Sequence, residues 1–298
     1  MTPAQLTQIV DADFAVPADR PLADVTADLI RALGDPDPVL RDDLALPVLA
    51  TWIERGVYDD LLVGLGDGLA TGLLPGIGEQ GTGSVFRRSF SALALAECLQ
   101  RDTGVLRVPS GKVLEWGDRL ATWFLAEQDT RGQVPGHGWA HAVAHGADAL
   151  GVLAGSPHLG REELEVVLEV LADRLVRPST TPEDLLVAGE PDRLASAVLA
   201  VLRRDLVPLD HLEGWVARLT DAADAAVTGT GDGTDGTVVE DPYLAAGNLQ
   251  AFLRALHLQL VLAPDPPEVR SDLLLLLVDA LRRTNPYTLA VPAATTAV

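Results

Sequence analysis

Apolar residues recur along the chain at the i, i+3, i+4, i+7 spacing of one helix face. They do so over about residues 21–33, 39–56, 58–74, 85–101, 111–128, 139–155, 161–175, 190–204, 208–227, 241–263 and 267–284. The period-two alternation of a half-buried strand is nearly absent. Asp37-Pro38, Ser156-Pro157, Thr181-Pro182 and the stretch from Pro264 to Pro267 separate the segments, because proline suits a helix's first turn and breaks its interior. The pattern predicts an all-α chain. Its helices of roughly 12–20 residues, joined by short turns without a dominant heptad, favour stacked antiparallel pairs over a four-helix bundle. A HEAT-like or armadillo-like helical-hairpin solenoid is expected, with a closed α/α barrel as the alternative, although the sequence shows no self-similarity at the ~40-residue period of such repeats.

Residues 1–298 read as a single domain, with 286–298, ending AVPAATTAV, as a flexible tail. Two glycine- and hydroxyl-rich stretches, 75–84 and 228–237, read as mobile surface connections. The first contains Gly76, Gly78 and Gly81 at the spacing of a dinucleotide loop, but a helical segment precedes it where that motif needs a strand.

Composition narrows the partners. A chain of 298 residues that is 48% hydrophobic has enough apolar material for a sizeable core. A formal net charge of -21 repels a phosphate backbone and an anionic membrane surface, which argues against nucleic acid and membrane as partners. No apolar run reaches the ~20 residues of a spanning helix, and the N-terminus lacks a signal peptide's basic start and apolar centre, so a cytoplasmic protein is expected. The only lysine, Lys112, is followed by Val113 rather than by the hydroxyl residue of a phosphate-binding loop, and any Schiff base would have to form there. A single cysteine, Cys98, excludes an intramolecular disulfide and a multi-cysteine zinc site.

Candidate chemistry concentrates in RGQVPGHGWAHAVAHGADAL, residues 131–150, which hold His137, His141 and His145 and place His141, His145 and Asp148 at i, i+4 and i+7. On a helical wheel these last three share a face opposite Trp139, Val143, Ala147, Leu150 and Ala154, beside the small residues Ala144 and Val152. Two neutral imidazoles one turn apart, with a carboxylate a turn further, can hold a divalent metal. The same three can form an acid/base dyad in which Asp148 orients a histidine, or a purely structural hydrogen-bonded cluster. A second group lies on the following pattern: Glu97 falls within the stripe of Phe86, Phe90 and Leu93, and Arg88 falls beside Leu95 and Leu99. Charges on apolar faces need partners, which makes Arg88 and Glu97 either a structural ion pair or the lining of a polar cavity. The acidic pairs Asp42-Asp43 and Asp59-Asp60 lack the third aspartate of a terpene synthase, and Asp232 and Asp235 lack calcium-loop spacing. Trp52, Trp116, Trp123 and Trp215 sit among Leu and Val as core residues.

Arg41-Asp42 with the apolar helix ending at Trp52-Ile53, then Phe86 with Arg88-Ser89-Phe90-Ser91-Ala92-Leu93, then Arg131-Gly132 and the run from Gly138 to Asp148, resemble the bacterial domain-of-unknown-function family 2785. An echo continues around Asn248, Leu253 to Leu256 and His257. The resemblance implies a helical, HEAT-like protein, carries no activity, and makes Arg88, Ser89, Trp139, His141, His145 and Asp148 motif positions. The resulting expectation is a pocket built from Arg88, Ser89, Glu97, Trp139, His141, His145 and Asp148, joined by Asn248 and His257. It would take a small polar molecule or a divalent metal. In an enzyme, His141 or His145 would be the base, Asp148 its orienter and Arg88 a clamp for an anionic group. The competing expectation is a non-catalytic scaffold that presents its groove to a protein partner.

Overall fold

A computed structural model describes residues 1–228, 241–286 and 288–289. Most of the 228–237 connection, with Asp232 and Asp235, and most of the 286–298 tail therefore lie outside the described residues. The elements in order are α1 (Pro3–Asp11), α2 (Leu22–Ala32), a π-helical turn (Val39–Ala45) running into α3 (Leu46–Glu54), α4 (Leu62–Thr71), α5 (Ser84–Val105), α6 (Ser110–Ala126), β1 (Gln133–Val134), β2 (Gly138–Trp139), α7 (Ala142–Gly155), α8 (Arg161–Leu175), a 3-10 turn (Pro182–Asp184), α9 (Glu190–Leu202), α10 (Leu209–Thr228), α11 (Pro242–Leu262) and α12 (Arg270–Thr284). The fold is all-helical, as the apolar spacing predicts. Among the described residues no helix is long and apolar enough to cross a membrane.

Two elements depart from the pattern. α1 was not expected, because only Leu6 and Ile9 of it are buried, too few to show a period. Its start is fixed locally: the Thr2 hydroxyl accepts from Gln5 N, the Gln5 side chain accepts from Thr2 N, and Pro3 occupies the first turn. The second departure is the β1–β2 hairpin, which pairs Gln133 with Trp139 and Val134 with Gly138 around Gly136 at φ 77°. Strands of two residues leave no alternation to read.

The helices pack as two interleaved rows. α5, α7, α9 and α11 lie side by side in one; α4, α6, α8, α10 and α12 in the other; successive helices join the rows. Among the described residues no extensive contact links α1–α3 to α11 or α12. Several side-chain hydrogen bonds between neighbours in these rows span similar sequence separations, although those from α9 to α11 and from α10 to α12 span 59–67 residues. Trp116 reaches Asp67 across 49 residues, Trp215 the Leu168 carbonyl across 47, Arg174 the Glu127 carbonyl across 47, Arg193 Asp148 across 45 and Arg218 Asp173 across 45.

α7 is buried on nearly every side because both rows press on it. Gly146 shows how closely: a β-carbon there would stand 2.4 Å from Phe124 Cδ2 and 3.1 Å from Trp123 Cζ3. Glycine costs a helix interior about 1 kcal/mol in propensity, but any side chain here would push α7 off α6.

Candidate functional site

The site forms where the β1–β2 hairpin delivers the chain into α7. Ala140 N donates to Gly132 O (2.9 Å) and His141 N to Arg131 O (3.0 Å), which extends the hairpin's pairing to the helix's first residue. His141 then takes a left-handed conformation, φ 47° and ψ 34°, and α7 starts at the next residue. The helix thus begins three residues later than its apolar period suggests, and His141 is its cap rather than a member of its face.

His145 lies one turn into α7 and is 8% exposed, so the expectation that both imidazoles stay out of the core fails for it. Its ring stands edge-on to Phe90 at 5.1 Å and edge-on to His141 at 5.7 Å. Its Nδ1 is 2.7 Å from Ser89 Oγ, and the same hydroxyl donates to the Ala140 carbonyl. A carbonyl only accepts, so the single serine hydrogen is spent there, and His145 Nδ1 must donate to Ser89 Oγ. Nε2 is left with a lone pair and no hydrogen-bond partner among the described residues. Burial, helped by the nearby His141, pushes the His145 imidazole down to about 3, so the ring is neutral at physiological pH.

His141 is half-buried. It stacks on Trp139 at 4.2 Å and 22°, and Trp139 itself is 41% exposed. Its Nε2 donates to the Ala188 carbonyl at 3.1 Å and lies 3.8 Å from the buried Glu190 carboxylate, which accepts from Ala188 N. Burial lowers its pKa, with Glu190 opposing. Glu190 starts α9 in the sequence Gly189-Glu190-Pro191; an acid just before a helical proline reads as a capping residue, and nothing in the sequence marks it as a neighbour of His141.

Arg41 completes the base of the cluster. Its guanidinium lies 4.1 Å over the Phe86 ring and 4.7 Å over that of Phe90, donates to the carbonyls of Asp35 and His137 at 2.7 Å each, and is fully buried. Its Nε comes within 2.6 Å of Asp42 Oδ1, but neither atom is aligned in a hydrogen bond. Burial raises the Asp42 pKa against the attraction of Arg41. In the sequence Arg41 entered only through the family resemblance, since an arginine ahead of an apolar helix reads as surface.

The other expected members are placed elsewhere. Arg88 is fully buried and committed: Nε and Nη2 grip Glu127 at 2.6 and 2.9 Å, and Nη1 donates to the carbonyls of Pro75 and Gly76 and to Ser84 Oγ. That leaves it facing inward rather than clamping an anion. Glu127 also accepts from the Trp123 indole and from Gln128 N and Asp129 N, which makes the pair a structural knot. The 75–84 stretch, expected to be mobile, is tied to this knot, and Gly81 N donates to Asp129. Glu97 stands apart from the histidines, half-buried near Glu54; burial raises its pKa. Asp148 is gripped through both oxygens by Arg193 and makes no hydrogen bond to either histidine. Asn248, on α11, holds the loop before α9, accepting from Leu186 N and donating to Ser179 Oγ and the Asp184 carbonyl. His257 lies half-buried further along α11. Among the described residues no three of His, Cys, Asp and Glu converge in a way that could hold a metal ion.

Fold and site together define a two-row helical protein with a neutral histidine pair at the N-terminus of a central helix. Over residues 73–258 the chain matches the family described as "Protein of unknown function (DUF2785)", and it belongs to that family. The match runs well beyond the segment in which the sequence motifs concentrate and ends one residue after His257. No curated protein and no solved structure matches the chain.

Proposed function

We propose that the surface formed by Trp139, His141 and His145 binds a small polar molecule carrying a hydrogen-bond donor, such as a polyol or an amine. The observation that carries this reading is the His145 lone pair: a neutral imidazole, buried at a real desolvation cost, whose Nε2 has no hydrogen-bond partner among the described residues. Nε2 is not among the fully buried atoms left without a partner, so it is open to a donor from outside. Trp139 offers an exposed stacking surface beside it. If the bound molecule reacts, His145 Nε2 is the base, held in its tautomer by Ser89 rather than by Asp148. The 45–49 residue spacing of several hydrogen bonds within the rows and the lack, among the described residues, of extensive first-to-last packing favour an open HEAT-like solenoid over a closed barrel as the frame.

The test is a thermal-shift and 15N-histidine NMR screen with a panel of polyols and primary alkylamines. A true ligand should move the His145 ring resonances and raise Tm, and both effects should vanish in Trp139→Ala and His141→Ala proteins whose circular dichroism is unchanged. Stabilisation that survives both substitutions would place binding elsewhere and defeat the reading.

One observation favours a scaffold instead. Between α7 and α9 runs a groove of about 340 Å³ floored by Gly151, Gly155, Ala197 and Ala200 and edged by the Asp148–Arg193 pair. An acidic protein with such a groove suits a basic segment of a protein partner. Partner binding that tolerates a combined His141→Ala and Asp148→Ala change would support the scaffold over the ligand site.

A further inference from the structure

A second constellation lies at the opposite end of α7 from its histidines, where α5, α6 and the α7–α8 turn meet. Asp102 in the last turn of α5, Ser110 at the first position of α6 and His158 in the α7–α8 turn form one hydrogen-bonded line. His158 Nε2 is 3.0 Å from Asp102 Oδ2, and His158 Nδ1 is 2.8 Å from Ser110 Oγ. The carboxylate is 1% exposed, and its other oxygen accepts from Arg107 N and Val108 N at 2.8 and 2.7 Å, so its orientation is fixed. Ser110 faces solvent.

The carboxylate decides the tautomer. Asp102 can only accept, so His158 carries its proton on Nε2 and presents the Nδ1 lone pair to the serine hydroxyl. The serine proton therefore points at a base whose far side is braced by a buried acid, the division of labour of a nucleophile, base and orienting group. The ring nitrogens are used in the opposite sense to the familiar serine-protease order, but the logic depends only on which nitrogen the acid claims. Ser110 and Gly111 open α6, and a helix leaves its first N–H groups without intrahelical partners, so donors for a developing oxyanion lie beside the hydroxyl. A β-carbon at Gly111 would meet nothing within 4 Å, so the approach is open.

An apolar cleft adjoins this line. It has a volume of about 280 Å³ and is walled by Leu114, Leu153, Leu159 and Val167, with Asp118 and Glu163 as its charged lining residues. Leu114 is one helical turn from Ser110, and Leu159 is the residue after His158. We propose that Ser110, His158 and Asp102 form an esterase site for carboxylic esters with an apolar acyl chain, which the cleft accommodates. Ser110 Oγ adds to the ester carbonyl while its proton moves to His158 Nδ1. The C–O bond to the alcohol breaks, and the alkoxide leaves with that proton. Water then gives a proton to Nδ1 and attacks the acyl-serine; the C–Oγ bond breaks, Oγ takes that proton back from Nδ1, and the acid is released with Ser110 restored. The net reaction is ester plus water to acid plus alcohol. Asp102 is the positioning residue.

The experiment is labelling of the whole protein by a fluorophosphonate probe, with the modified residue located by mass spectrometry, alongside hydrolysis of p-nitrophenyl acetate and p-nitrophenyl octanoate. Label is expected on Ser110 and absent from Ser110→Ala. Labelling should slow at least ~100-fold in His158→Gln, and Asp102→Asn should shift the pH profile of the labelling rate. The octanoate should be hydrolysed with the higher kcat/KM. A folded wild-type protein with Ser110 unlabelled, or labelling that His158→Gln leaves unchanged, overturns the proposal. Ser110→Ala and His158→Gln remove exposed or half-buried groups, and the α7 ligand screen reads a different set of residues, so the two sites fail or stand separately.

Discussion

An imidazole enclosed by Ser89, Phe90 and His141 has to stay neutral, and that requirement makes the protein sensitive to acid. In the unfolded chain a histidine takes up its proton near 6.5; in the folded one burial holds His145 down to about 3. Between those values the unfolded state binds the extra proton, so the contribution is complete above 6.5 and is lost as the pH falls toward 3. From about pH 7 to about pH 5, where most carboxylates are still ionised, this single group should remove about 2 kcal/mol of unfolding free energy. Urea titrations across that range should show the loss in the wild type and a flatter dependence in His145→Gln. Equal slopes would mean that the ring is hydrated and titrates normally. At this scale the sequence was informative about identity and poor about role. His141, His145 and Ser89 do converge, but Arg88 and Asp148, which look equally chemical on a wheel, are saturated by Glu127 and Arg193. Those partners lie 39 and 45 residues away, beyond the reach of any local pattern.

Helix existence was legible wherever one face meets a core. The segment expected at 161–175 coincides with α8, and the later helices differ from expectation by a few residues at their ends. Starts were less legible where tertiary structure sets them. The hairpin ahead of α7 is such a case, although Pro135-Gly136 is a pair of turn formers that could have marked it. His141 there occupies a left-handed conformation that a residue with a β-carbon adopts at a cost of about 1–2 kcal/mol. His141→Gly and His141→Ala both remove the stack on Trp139, but only alanine keeps the backbone penalty. The glycine variant should therefore be the more stable of the two by about 1 kcal/mol in urea unfolding. Equal stability would show that α7 begins with His141 in an ordinary helical conformation.

Across the whole molecule, a net charge of -21 sits on a structure whose ion pairs, among the described residues, are mostly at or near the surface. Self-repulsion of that size opposes compactness and is screened by salt, whose Debye length falls from about 30 Å at 0.01 M to about 3 Å at 1 M. Tm should rise with sodium chloride over that range; a fall would mean that exposed pairs such as Arg218 with Glu169 and Asp173 outweigh the repulsion. The architecture's regularity was hidden from the sequence for a physical reason. Where the 45–49 residue spacing recurs it is kept by an indole on a carboxylate in one place, an indole on a carbonyl in another and an arginine on an acid in a third, so geometry repeats where residue type does not. That ladder of neighbour-to-neighbour bonds has a mechanical consequence. Each helix leans on the next in its row, and among the described residues no extensive contact ties the first helices to the last, so a pull on the two ends is carried in series, every joint feels the same tension, and the weakest joint alone sets the force at which the protein gives way.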